Sequence, residues 1–195
     1  MDFLSLLIFD LDGARFGLDA TKVRESVWLP ELTPLEEAPL WVVGIFSLRG
    51  QIVPVTDLHV RFGHPARSYT PGDQVVVLET AHLPMGLIVS EVIGVVELPG
   101  TAIQPPPQFD SVANSSSHLV AGEVRVGDDL ITLLDIFHLT QFPEAAIFAG
   151  APQRPVSSSH FCMEAAPEAR AVFRARAMAL REISIEEDAT RLGLA

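Results

Sequence analysis

Hydrophobic residues fall in short runs along most of this chain rather than at helical spacing. Residues 4–11, 42–48, 51–58, 74–79, 85–97, 119–126 and 130–135 are each rich in Val, Ile, Leu and Phe and bounded by Gly, Pro or Asp, which is the pattern of β-strands. The punctuation agrees. Asp12-Gly13, Arg49-Gly50, Leu83-Pro84 and Gly127-Asp128-Asp129 each separate two runs, where antiparallel neighbours need a tight connection. The pattern predicts an all-β fold of hairpins closed into sandwiches or barrels. Two short helices interrupt it, one over "DATKVRESV" capped by Asp19 and one over "LDIFHLT" after Asp135. Pro54, inside the run 51–58, implies an edge strand or a bulge because proline has no N–H for a ladder. "QPPPQFDSVANSSSH" reads as a loop bridging two parts of one fold.

The character changes after about residue 145. "FAGAPQRPVSSSH" has linker composition, and "PEARAVFRARAMALRE" reads as a helix with Pro167 in its first turn. Ala169, Val172, Phe173, Ala177 and Leu180 share one side, and Arg170, Arg174 and Arg181 share another. Such a helix rests on its own domain or leads into a further one; a dedicated partner-binding helix is the alternative. The chain therefore divides into a β domain over 1–145, a linker over 146–163 and a helical tail over 164–195.

Composition narrows the function. A length of 195 residues suits one domain plus a tail, and 48% hydrophobic against 19% charged residues leaves room for apolar surface patches that a partner protein would cover. Thirteen basic against 25 acidic residues give a formal charge of -12, which opposes a phosphate backbone, so no nucleic-acid partner is expected. The single cysteine, Cys162, excludes an internal disulfide framework and a multi-cysteine zinc site, and it fits a reducing compartment. "MDFLSLLIFDLDG" lacks a basic leader and a cleavage site, and no run reaches the ~18 apolar residues of a membrane span. A cytoplasmic protein without direct membrane insertion is expected.

One stretch imitates an enzyme. In "LLIFDLDGARFGLDA", Asp10 and Asp12 stand where an aspartate-nucleophile phosphatase carries its nucleophile and general acid. That chemistry needs a cation from a later motif, and the only lysine, Lys22, follows too soon. "VGDDLITLLD" offers carboxylates for magnesium, but such a site belongs on a parallel α/β sheet and this chain offers hairpins. With Asp12-Gly13 as a two-residue turn, Leu11 faces Ala14, Asp10 faces Arg15 and Phe9 faces Phe16, opposite charges beside an aromatic pair. His59, His64, His82, His118, His138 and His160 lack ligand spacing, and His160 with Cys162 is an incidental pair in a flexible segment. No catalytic residue, metal or cofactor is expected.

The most informative stretch is "EAPLWVVGIFSLRGQIVPVTDLHVRFG". It reads as a strand, a turn carrying Arg49 and Gly50, and a returning strand. Gly50 supplies positive φ, and Arg49 projects as a guanidinium free for bidentate recognition. Alternatively, Arg49 anchors the fold through a local carboxylate such as Asp57.

The run Gly44-x-x-x-Leu48-Arg49-Gly50-x-Ile52-Val53-Pro54-Val55-x-Asp57-Leu58 resembles the signature of the CheW family of chemotaxis coupling proteins. "IFDLDGARFGLDATKVRES", "GLIVSEVIGVVELPGTAIQPPP" and "HLVAGEVRVGDDLITLLDIFHLT" are similar, in order, to the family's first hairpin, its later strand pair with crossover, and its closing hairpin. Likeness spans roughly residues 3–145. The departures are Ser47 for a usual Asn, "VSEV" for Val-Asp-x-Val, and Asp12-Gly13 for Gly followed by a polar residue.

The resemblance implies two packed SH3-like five-stranded β-barrels with short helices. It also implies a non-catalytic adaptor between a chemoreceptor cytoplasmic tip and the regulatory domain of a CheA-type histidine kinase, with other CheW-like domains as further partners. In the family the receptor tip docks between the barrels and the kinase meets barrel ends. Carried over, Val23, Glu25, Gly44 and Arg49 match coupling positions. A recruiting surface would add Gly50 and Ile45, with Trp41 either in it or in the core. A CheW-like scaffold serving a pathway other than motility is the alternative within the same family.

Overall fold

The computed structural model describes residues 2–35, 38–81, 83–106, 117–141 and 167–191. The linker expected over 146–163, with His160 and Cys162, lies outside the described residues, as do His82 and the middle of the proline-rich loop. Ten strands are described: β1 (Phe3–Leu11), β2 (Ala14–Asp19), β3 (Val23–Trp28), β4 (Val42–Leu48), β5 (Gln51–Asp57), β6 (Gln74–Leu78), β7 (Met85–Val89), β8 (Glu91–Pro99), β9 (Val120–Val126) and β10 (Asp129–Leu134). Three α-helices accompany them: α1 (Leu58–Arg61), α2 (Ile136–Thr140) and α3 (Pro167–Arg191).

The strands form two five-stranded sheets, in the orders β8-β1-β2-β10-β9 and β3-β6-β7-β5-β4. Each closes on itself just beyond its edge strand. Past β8, Gln104 exchanges both backbone hydrogen bonds with Glu123 of β9, and past β3, Thr33 does the same with Ile45 of β4. At each of these points closure removes the exposed edge. We call the β1-containing barrel the first and the β3-containing barrel the second.

The two strand orders map onto each other, and each barrel lends the other a strand. β1 and β2 belong to the first barrel and the chain then crosses as β3 into the second; β6 and β7 belong to the second and the chain crosses back as β8. The correspondence reaches single residues. Gly122 and Gly44 occupy the two seams, where a Cβ would lie 2.7 Å from the carbonyl oxygens of Gln104 and Thr33 respectively. Only glycine lets the two backbones approach so closely. Asp57 ends β5 and Asp135 directly follows β10, and each caps the helix that comes next.

Strand exchange gives the barrels a common core. Leu7, Phe9, Leu11 and Leu18 of the first barrel pack with Val76, Leu78, Leu87 and Val89 of the second. Each barrel also has an interior of its own, Leu6, Ile8, Val124, Ile131 and Leu133 in the first, and Leu29, Val43, Phe46, Val53, Val75 and Ile88 in the second. α3 joins the second interior through Ala169 and Phe173, the latter only 1% exposed. The Phe173 carbonyl accepts the Glu31 N–H at 2.8 Å. Arg176 donates to the carbonyls of Leu29 and Pro71 at 3.3 and 2.9 Å, and its guanidinium lies over the Trp28 ring. Val172, expected on the apolar side, is exposed, since helical spacing places it off the Ala169–Phe173 contact line.

The hairpin at "DLDG" forms as expected, with Asp10 opposite Arg15 and Phe9 stacked on Phe16 at 5.9 Å. Three expectations are corrected. The helix over "DATKVRESV" is a single 3₁₀ turn, Ala20–Lys22, followed by strand β3; Val23 and Val27 alternate with exposed neighbours at a period of two, and Asp19 caps only the turn. The run 85–97 is not one strand but two parted at Ser90, the strand pair that the resemblance implies, and there the chain leaves one barrel for the other. Pro54 lies in a strand flanked on both sides, without a bulge at that position. It stands just ahead of the parallel ladder between β5 and β7, which begins at Val55, so no hydrogen bond is missed.

Two substitutions measure these constraints. Phe173→Ala is expected to lower unfolding free energy by about 3–5 kcal/mol, the cost of emptying an aromatic site in a core, and urea unfolding checks it. Gly122→Ala is expected to cost about 1–3 kcal/mol through steric conflict at the seam, read in the same assay.

Candidate partner-binding site

The candidate residues other than Val23 gather around the seam of the second barrel. Arg49 and Gly50 form the two-residue turn between β4 and β5, with φ of 48° and 77°, the double positive-φ geometry that matches strand twist. The turn holds the Arg49 side chain out, and its Nη2 meets Glu25 Oε2 at 3.2 Å across 24 residues of sequence. Beside it, Arg24 donates to Gln51 and lies 3.7 Å from Glu25. These contacts lace β3 to the β4–β5 turn, where the closed barrel brings them together although they are not ladder neighbours.

The carboxylate that meets Arg49 is that of Glu25 and not the expected Asp57. Asp57 is 2% exposed and its carboxylate is occupied: Oδ1 accepts the His59 and Val60 N–H groups at the start of α1, and Oδ2 accepts the Tyr69 hydroxyl at 2.6 Å. Gly44 is buried in the seam. Ile45, half-buried, exchanges backbone bonds with Thr33 and lines a small cavity with Ser47, Ile52 and Ala177 of α3. Trp41 is half-buried outside all three cores, with the Arg61 guanidinium 4.5 Å from its ring centroid. Burial lowers the pKa of Arg61.

Val23, two residues before Glu25, faces a different feature. It lines a groove of about 1330 Å³ between the barrels, together with Lys22, Thr80, Ala121, Ile136 and Phe137. Asp19, Glu79 and Asp135 also line it. Phe137 is 64% exposed there. Its neighbour His138 sits edge-on to both Phe137 and His118, at 5.4 and 5.7 Å. Asp135 caps α2 by accepting the His138 N–H at 3.1 Å, and His138 Nδ1 lies 2.9 Å from its other oxygen. Burial pushes the Asp135 carboxyl up, but the hydrogen bonds from the His138 side chain and backbone outweigh it and hold the pKa below the usual range. His118 is pushed down, first by burial and then by the Arg61 and His138 charges.

The paired aspartates of the amino-terminal hairpin serve a turn and a joint. Asp10 accepts the Gly13 N–H at 2.9 Å. Asp12, at φ 52°, contacts His59 Nε2, lies 3.5 Å from Arg67 Nε, and shares hydrogen bonds with Ser90. Arg67 in turn grips Asp73 with two bonds of 2.9 and 3.1 Å. Burial opposes its charge, yet the Asp73 hydrogen bonds and the surrounding carboxylates raise its pKa. Among the described residues no cluster of His, Cys, Asp or Glu is arranged to hold a metal ion. The aspartates lie on an antiparallel hairpin, and the phosphatase reading fails on its required sheet.

Sequence reasoning missed the Glu25–Arg49 and Asp12–His59 pairs and the exposure of Phe137. Neither pairing has a local signal, because strand exchange creates both. Phe137 had one: it sits beside His138 in a short capped helix with no room for a second buried face.

This architecture defines the class, a pair of SH3-like barrels that exchange strands. A family model described as the CheW-like domain matches residues 5–144, and the chain belongs to that family. It is 31% identical over 141 residues to the chemotaxis protein CheW of Klebsiella aerogenes, covering 72% of this chain and 84% of the relative. Against the CheW of Treponema pallidum it is 30% identical over 138 residues, covering 69% and 80%. The crystal structure of the scaffolding protein TtCheW from Thermoanaerobacter tengcongensis superposes with a TM-score of 0.64 at 29% identity, covering 72% of this chain and 94% of that one. Helix α3 lies outside the matched residues.

The cap on α2 carries a pH-dependent prediction. Because the folded pKa of Asp135 is lowered, its stabilising contribution is present above the ordinary aspartate value near ~3.9 and is lost as pH falls through the folded value. Asp135→Ala is expected to cost about 0.5–2 kcal/mol at neutral pH. Urea unfolding of both proteins at pH 7 and pH 3 should show the difference shrinking in acid.

Proposed function

We propose that this chain is a non-catalytic adaptor that couples chemoreceptors to a CheA-type histidine kinase on the cytoplasmic side of the membrane. The observation that carries the reading is the alignment of candidate residues along β3. Val23 opens onto the inter-barrel groove, and Glu25 holds an arginine that stands half-exposed at the neighbouring turn. One strand thus touches two surfaces, as an adaptor with two partners requires. The groove suits the receptor tip, and the laced turn suits a kinase regulatory domain at the barrel end. The named relatives, proteins of chemotaxis and a scaffold, support the reading. Among the described residues no helix is long and apolar enough to cross a membrane, which fits recruitment to a receptor array by protein contacts.

Arg49 separates a binding role from a structural one. An exposed ion pair is worth about 0–1 kcal/mol, so Arg49→Ala should barely move the melting temperature. A polar anchor at an interface is worth more, and binding to the kinase regulatory domain or the receptor tip should weaken roughly tenfold, about 1.4 kcal/mol. Calorimetric titration of both partners measures this. Binding of the wild-type chain to neither, or unfolding of Arg49→Ala, would sink the reading.

A further inference from the structure

The first barrel is closed at one point and open along its outer strand. β8 is the end strand of its sheet, and the chain meets β9 only past it, where Gln104 bonds to Glu123. The β1–β8 register fixes which way the backbone of β8 points. Gly100 donates its N–H to the Asp2 carbonyl, so Phe3 and Pro99 face each other without a bond between them, and bonded and unbonded pairs alternate along an antiparallel ladder. The bonds to β1 are therefore made at Leu98, Val96 and Gly94, opposite Leu4, Leu6 and Ile8. The N–H and C=O groups of Val95 and Glu97 point the other way, off the edge of the sheet, and among the described residues no backbone group bonds to them there. The side chains agree: Val95 is 57% and Ile93 45% exposed, and Glu91 and Glu97, which bracket them, are exposed as well.

The second barrel has the same edge and covers it. Leu29 donates to the Asp73 carbonyl, which by the same alternation turns the backbone of Ser26 and Trp28 outward from β3. Helix α3 lies beside them, with Arg176 over the Trp28 ring and Ala179 and Leu180 along a shared cavity of about 460 Å³. The chain's own cover for such an edge is thus an arginine-bearing segment.

We propose that the β8 edge is a strand-addition site, and that it takes an extended segment of a partner protein with two alternating apolar residues between lysines or arginines. Main-chain bonds to Val95 and Glu97 supply the affinity. In an antiparallel addition the apolar residues fall beside Ile93 and Val95 and the basic ones beside Glu91 and Glu97, the cross-strand pairs that stabilise a sheet. A second copy of the chain is a poor occupant, because each copy carries a formal charge of -12 and the edge ends in glutamate and proline, residues that block pairing between identical edges. None of these residues lines the inter-barrel groove or meets Arg49, so the site stands apart from the adaptor reading.

The test follows backbone amide shifts and amide exchange of the full chain with three synthetic peptides: Lys-Thr-Val-Thr-Val-Thr-Lys, its counterpart with glutamate at both ends, and the lysine peptide N-methylated at its two valines. The lysine peptide is expected to bind at least tenfold more tightly than either of the others, since one lacks the charges and the other the main-chain donors. Its shifts should gather between Ile93 and Glu97. The amides of Val95 and Glu97 should exchange freely in the chain alone and at least tenfold more slowly in the complex. Val95→Glu should weaken binding at least tenfold with no change in melting temperature, because the side chain is exposed. Equal affinity among the peptides, no binding of the lysine peptide, shifts gathered elsewhere or full affinity in Val95→Glu would each overturn the proposal. So would protection of the Val95 and Glu97 amides in the chain alone, whether by another of its segments or by a second copy.

Discussion

The shared core between the barrels is the interaction on which the rest of the molecule depends. Each barrel is too small for a large interior of its own, and the first has only a handful of fully buried side chains inside it. Small domains bury too little apolar surface to be robust alone. Packing the outer faces of β1 and β2 against β6 and β7 supplies a third apolar cluster as large as the second barrel's interior and larger than the first's. Because the chain crosses between the barrels twice, through the short turn Ala20–Lys22 before β3 and through Ser90 alone before β8, the barrels are held close to one another. A stable angle between them follows, and with it the shape of whatever groove lies at their junction.

Closure imposes the second constraint. A five-stranded sheet that curls on itself must bring two backbones together at the seam, and the contacts there are short: one pair of backbone bonds per barrel, over a glycine with no space for a side chain. The rest of the seam in the second barrel is held by side chains, the Arg49–Glu25 and Arg24–Gln51 contacts. Charged residues that finish a barrel on its surface are also presented to solvent, and they are the groups proposed to meet a partner. The second barrel adds α3, whose Phe173 fills its interior and whose Ala177 stands beside Ile45. That helix covers the Ile45 side of the seam and leaves the Arg49 turn exposed, which gives the barrel one closed and one accessible flank.

The two halves differ where they meet. A repeat that remained identical would have two equal grooves or none. Here aromatic stacking and the Asp12–His59 contact join one side, while a groove lined by Val23, Ala121, Ile136 and Phe137 lies on the other. The hairpin that imitates a phosphatase motif has a positional role instead: its second aspartate reaches across the joint, in a turn conformation that aspartate tolerates better than most residues.

What the sequence alone determined is local. Period-two runs, turn dipeptides and capping aspartates located most of the ten strands, the two-residue turns at Asp12-Gly13, Arg49-Gly50 and Gly127-Asp128, and the helix after Asp135, because alternation, positive φ and capping are set by near neighbours. The resemblance of the Leu48-Arg49-Gly50 run added the double barrel. Tertiary structure decided everything that depends on which strand joins which barrel: the break at Ser90, the strand that replaced a helix over Val23–Trp28, the Glu25 partner of Arg49, and the contact of Asp12 with His59. Those relations join residues far apart in the chain, and only closing two sheets around a common core brings them into contact.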